Sequence, residues 1–172
     1  CLVGSEMCIR DREYAERGYT HAVALDLSKY FDTLNHEKLL NLLRRDIKDE
    51  RVIQWIKRYL KSGVMENGVV METEEGSPQG GNISPLLANI YLNEFDQEYE
   101  KRGVKFVRYA DDIVLLAKSD RAAKRLLETS TKYLEGTLKL KVNQEKSRVV
   151  SVRVYARVAE LLWDCRYEEE NR

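Results

Sequence analysis

Two adjacent carboxylates, Asp111 and Asp112, lie between residues 104–109 (VKFVRY) and 113–117 (IVLLA). Both flanks carry the β-branched and aromatic residues of buried strands. Two such strands reverse at the acidic pair, so the pair occupies the tip of a hairpin. Like charges without partners are too costly to bury, so the tip must face a cleft, water or metal. Upstream, residues 23–27 (VALDL) form another short apolar strand with Asp26 near its end. Three carboxylates delivered by strand ends suit two hard divalent cations, which favour oxygen ligands. A pair of such ions clamps both oxygens of an in-line phosphoryl displacement, which points to nucleotidyl transfer. Adjacent aspartates are also ordinary turn residues, because their side chains bond nearby amides. The pair alone leaves both readings open.

At 172 residues the chain is long enough for one domain with a core, and its apolar runs are too short to span a membrane. Apolar spacing predicts a strand over 21–27 and helices over 36–47 and 51–61, with Asn35 and Asp49 as caps and Gly63 as a stop. A short β segment is expected at 68–73. Gly76, Pro78, Gly80 and Gly81 then punctuate a loop where the backbone can approach a ligand closely. Ser84 makes an N-cap and Pro85 suits the first helical position. The helix running to residue 101 places Leu87, Tyr91, Phe95 and Tyr99 on one core-facing stripe. Ser119 or Asp120 opens a helix that halts at Gly136, and 149–152 reads as a strand. Strands interleaved with helices on one face predict an α+β fold with an antiparallel sheet. Trp55 and Tyr59, four apart on a helix, read as packing residues. His36, in the opening of a helix, reads as a surface or capping residue, and neither histidine has a ligand constellation around it.

Four segments in order carry a family resemblance: ALDLSKYFD from Ala24, GSPQGGNISPLLANIYL from Gly76, YADD from Tyr109 and LKLKVNQEKS from Leu138. Together they resemble the palm of a bacterial group II intron reverse transcriptase, over residues 14–152. The resemblance implies an RNA-directed DNA polymerase in which Asp26 and Asp111 are the principal metal ligands and Asp112 the third carboxylate. They would hold two Mg²⁺ ions, or Mn²⁺ in their place. Phe31 would sit under the incoming sugar as a gate against a 2′-hydroxyl. Gln79 and Gly80 would approach the nascent base pair and template, with Tyr109 also contacting substrate. Lys146 would lie near the triphosphate and donate a proton to pyrophosphate. By pattern alone, Phe31 reads as core and Lys146 as a solvated charge.

The implied partners are an RNA template, a DNA primer, deoxynucleoside triphosphates and group II intron RNA, in the bacterial cytoplasm and away from membranes. The charge does not advertise them: 29 Lys and Arg balance 29 Asp and Glu. In the family most cationic grip belongs to fingers, thumb and maturase domains, which are not recognisable here, so little or no polymerase activity is expected of the isolated chain. Residues 1–12 resemble a translated sequencing adapter, and 153–172 depart from the family's wording, leaving 13–152 as a partial palm. All three cysteines, Cys1, Cys8 and Cys165, fall in those ends, so neither a disulfide framework nor zinc spacing is present. Reverse transcriptases of retrons, CRISPR-linked systems or diversity-generating elements are rivals within the family. A splicing maturase without polymerase activity is the rival from another class.

Overall fold

The computed structural model describes residues 18–61, 64–66, 69–71, 75–78 and 81–151. The expected leader (1–12), the divergent tail (153–172), Gly63, Gln79 and Gly80 lie outside the described residues. Chain order is β1 (His21–Leu25), α1 (His36–Asp46), α2 (Glu50–Lys61), β2 (Val64–Glu66), β3 (Val69–Met71), α3 (Ser84–Lys101), β4 (Lys105–Tyr109), β5 (Asp112–Ala117), α4 (Asp120–Lys132) and β6 (Arg148–Ser151).

The main sheet runs β4-β5-β1-β6, and every pairing in it is antiparallel. β5 therefore lies between β1 and β4, which run in the same direction. This is the split βαβ arrangement, in which a helical crossover leaves a gap for a third strand. Side chains alternate across the pleat. Val23 and Leu25 of β1, with Ile113, Leu115 and Ala117 of β5, join the helices in the main core. Ala22, Val107, Val114 and Leu116 form a separate cluster on the opposite face. The helices thus cover one face, as the α+β pattern predicts. α3 and α4 contact the sheet, while α1 packs on α3 and α2 packs on α1.

The α3 stripe is buried as expected: Leu87, Tyr91, Phe95 and Tyr99 are all inaccessible or nearly so. Phe95 stacks on Tyr99 with centroids 4.1 Å apart and meets Phe106 of β4 edge-on at 6.2 Å. The Tyr91 hydroxyl donates to the Leu138 carbonyl at 2.6 Å, giving one buried polar atom a partner. Asn35 caps α1 by accepting the Lys38 amide at 2.9 Å, and Ser119 caps α4 by accepting the Ala122 amide at 3.3 Å. Asp49 accepts the Arg51 amide at 2.9 Å at the start of α2.

Several expectations are corrected. Ser84 is the first residue of α3 rather than its cap, because its hydroxyl turns back to donate to the Pro78 carbonyl at 2.8 Å. β1 ends at Leu25, since Leu27 bridges Val142 instead of continuing the ladder to β5. α4 ends at Lys132 and passes into one wide turn, Tyr133–Thr137, before the chain reverses. His36 is buried, not superficial, with its Nε2–H donated to the Gly76 carbonyl. Trp55 does not pack: it is 67% exposed, on the outer face of α2. Replacing Phe95 by Ala should cost about 3–5 kcal/mol of unfolding free energy, measured by urea denaturation.

Candidate active site

The hairpin places its acids by register. Tyr109 pairs with Asp112, leaving Ala110 and Asp111 as the two turn residues. Ala110 takes a left-handed φ of 53°, a conformation that costs a non-glycine residue about 1–3 kcal/mol unless its surroundings hold it. Arg108 supplies that hold. Its guanidinium donates to the Ala110 carbonyl at 2.9 Å and to Asn89 Oδ1 at 3.0 Å, and it grips both carboxylate oxygens of Asp96 on α3. Both partners of this ion pair are largely buried. Arg108 pairs across the ladder with Ile113, on the helix-covered face. The tip is therefore tied to α3 from behind, while Asp112 alternates to the opposite face.

Asp26 joins them by the same logic. Leu25 pairs with Ile113 as the last rung of the β1–β5 ladder, Asp26 and Asp112 flank that rung, and the charge of Asp26 reaches Asp112. Alternation puts both on the face opposite the helices. The main chain of Asp26 is pinned twice. Its amide donates to Ser147 Oγ at 3.1 Å, and its carbonyl accepts the Asn143 amide at 2.8 Å. Asn143 in turn accepts the amides of Glu145 and Lys146 at 3.2 and 3.3 Å. This turn holds the Lys146 ammonium 3.9 Å from Asp26 Oδ2, with the lysine side chain 70% exposed.

The electrostatics record the crowding. Burial raises the pKa of Asp112 above the ordinary aspartate value, and the charges of Asp111 and Asp26 push it the same way, against Lys146. Tyr30, in the turn Tyr30–Asp32 just past Asp26, donates to the Ala88 carbonyl at 2.6 Å. Burial, more than any nearby charge, drives the pKa of that phenol far upward, so it stays protonated as a fixed donor. Among the described residues, no three His, Cys, Asp or Glu side chains are gathered closely enough to hold a metal ion as they stand. The donor chemistry still fits a hard divalent cation: carboxylate oxygens on one rim, partly exposed, with a mutual repulsion that a cation relieves.

The loop before α3 is shaped by contacts within the chain. Ser77 donates its amide to the Phe31 carbonyl at 2.7 Å, and Gly76 donates to the Leu34 carbonyl at 2.8 Å. Gly76 has φ of 92°, and an added Cβ would lie 3.0 Å from the Asp32 carbonyl oxygen. At Gly81 a Cβ would overlap the Tyr59 hydroxyl at 1.7 Å. That hydroxyl shares a hydrogen bond with Ser84 Oγ, to which Ser77 Oγ also donates. The close approaches expected for these two glycines are thus made to the protein itself. Phe31 is half-buried against the core and tilted on Tyr30 at 5.5 Å, while Tyr109 is 52% exposed beside Asp112. The structure brings together Asp26, Asp111, Asp112, Lys146 and Tyr109. Arg108, Asp96 and Ser147 were not legible as site residues, because Ser147 meets Asp26 across 121 positions and nothing local marks Arg108.

Two outcomes follow from this geometry. Asp96→Ala strands a largely buried guanidinium and should lower stability by about 3–5 kcal/mol, measured by denaturant titration. Asp112 binds its proton more tightly folded than unfolded, so its contribution to stability is present at acid pH and lost as pH rises through its folded pKa. Asp112→Asn should therefore raise the melting temperature at pH 7 in EDTA, with the gain vanishing below the ordinary aspartate pKa.

Residues 5–166 match the family described as "Reverse transcriptase (RNA-dependent DNA polymerase)". The chain is 35% identical over 161 residues to Protein YkfC of Escherichia coli (strain K12), covering 74% of this chain and 42% of YkfC. It is 35% identical over 125 residues to Group II intron-encoded protein LtrA of Lactococcus lactis subsp. cremoris, covering 73% of this chain and 20% of LtrA. The chain thus spans less than half the length of either relative. Its fold is similar to apo telomerase from Candida tropicalis truncated from its C-terminal domain, with a TM-score of 0.68 over 86% of this chain and 35% of that one. Identity there is 14%, so this likeness speaks to fold alone. The chain belongs to the reverse transcriptase family.

Proposed function

We propose that this chain is the palm of an RNA-directed DNA polymerase of a group II intron type retroelement. It would add deoxynucleotides to a primer 3′-hydroxyl on an RNA template, in the bacterial cytoplasm. The observation that supports the reading is the β1–β5 register, whose last rung, Leu25 with Ile113, is flanked by Asp26 and Asp112 next to the Asp111 turn. In this reading Asp26, Asp111 and Asp112 hold two Mg²⁺ ions, or Mn²⁺. Such ions supply activation of the primer hydroxyl and neutralisation of charge on the departing pyrophosphate. The protein's own part is placement and charge stabilisation rather than covalent chemistry.

Individual roles in this reading are those the family resemblance implies. The hairpin tie through Arg108 keeps Asp111 and Asp112 from drifting when the site fills. Lys146, exposed and held near Asp26, would hand a proton to pyrophosphate. Phe31, half-buried and tilted on Tyr30, would sit under the incoming sugar. Tyr109 would flank the acids from the hairpin, and the family resemblance assigns Gln79 and Gly80 to the nascent base pair. Group II intron RNA is the natural partner of such an enzyme, and the LtrA relative is named as a group II intron-encoded protein. No helix among the described residues is long and apolar enough to cross a membrane.

In a full-length protein carrying this palm, Asp111→Asn should reduce primer extension on an RNA template by at least about 10²-fold. Far-UV circular dichroism would establish that the variant folds. Undiminished extension would overturn the assignment.

A further inference from the structure

The charge of this neutral chain is unevenly spread. Between His36 and Lys61, eight Lys and Arg stand against four Asp and Glu. At 100° per residue, the exposed arc of α2 runs through Lys57, Glu50, Lys61, Gln54, Arg58 and Arg51 to Trp55, all of them exposed, and Glu50 is paired with Arg44 of α1 at 3.3 Å. Among the described residues, Lys57, Arg58 and Lys61 form no ion pair, whereas Arg51 pairs with Asp49 at 2.8 Å. Lys57 and Lys61, with Arg44 of α1, line a cleft of about 350 Å³, which Glu37 and Glu75 also border.

Trp55 closes the arc. At 67% exposure it has no packing role, and Leu86 and Tyr109 are the other exposed large apolar residues among those described. Both belong to other elements, Leu86 to α3 and Tyr109 to β4. Trp55 thus stands at the edge of the basic arc, with half-buried Tyr59 and Val52 on its other side. An exposed aromatic flanked by basic side chains suits a nucleobase stacked on the ring with its phosphates on the cations.

We propose that the outer face of α2 binds single-stranded nucleic acid, with a base on Trp55 and the backbone running along Arg51, Arg58, Lys61 and Lys57. The occupant's identity rests on the polymerase reading above, which brings such strands to the chain. The binding itself does not use the carboxylate site.

The test uses the 172-residue chain with Trp163→Phe, so that Trp55 is its lone tryptophan, in EDTA and low salt. Titration with a twelve-nucleotide oligouridylate or oligodeoxyuridylate should quench Trp55 emission, and a preference between the two identifies RNA or DNA as the source. Trp55→Ala should weaken binding, read by anisotropy of a labelled oligonucleotide, about 5- to 150-fold. Arg58→Gln should flatten the slope of log affinity against log salt by about 0.7. Both positions are exposed, and circular dichroism checks that the variants fold. Binding that leaves Trp55 emission and the Trp55→Ala affinity unchanged would overturn the proposal, as would no binding at low salt. Self-association in sedimentation that depends on Trp55, in place of binding, would also overturn it. Either failure leaves the Asp111→Asn extension result standing, and loss of that result leaves this binding intact.

Discussion

Strict alternation of side chains across the four-stranded sheet governs nearly everything else in this molecule. One parity of β1 and β5 supplies Val23, Leu25, Ile113 and Leu115 to the helix-covered core. The other parity ends at Asp26 and Asp112. A slip of one residue in the pairing of β1 with β5 would turn buried leucines outward and carboxylates inward. Burying those acids without partners would cost more than the hairpin could return. Core and site are therefore specified by one register, and neither can shift without the other.

Alternation sets the face, but it does not set the tip. Arg108 does that by reaching from the core side of β4 to Asp96, Asn89 and the Ala110 carbonyl. This stabilises a left-handed alanine that a free hairpin would avoid. The opposing wall is built on Asp26, whose amide and carbonyl are both bonded to the 143–147 turn. The acids thus stand on a backbone that is over-determined. Rigid main chain lies beneath carboxylates whose charges repel.

The loop entering α3 shows a third kind of constraint. Gly76 and Gly81 were expected to let a ligand approach the backbone. They instead admit the Asp32 carbonyl and the Tyr59 hydroxyl. These contacts fasten the loop to the Tyr30–Asp32 turn and to α2, on the path between the motif of Asp26 and the motif of Gln79. His36 adds a further bond through the Gly76 carbonyl, which explains why a histidine opening a helix is buried.

Much of this was legible in the residues themselves. The apolar runs around Asp111 and Asp112 specified a hairpin with an acidic tip, because only that arrangement keeps the charges out of a core. The four-residue spacing of Leu87, Tyr91, Phe95 and Tyr99 specified the buried stripe of α3, and Asn35 and Ser119 announced helix starts through local bonds. Tertiary structure alone decided what depends on distant partners. Asp26 meets Ser147, Arg108 meets Asp96, and Ser84 gives up its capping role to bond Pro78. Trp55 and Tyr59 share one helix and one spacing, yet Tyr59 packs and Trp55 does not. Periodicity reports which residues share a face, whereas burial depends on what the rest of the chain brings against it.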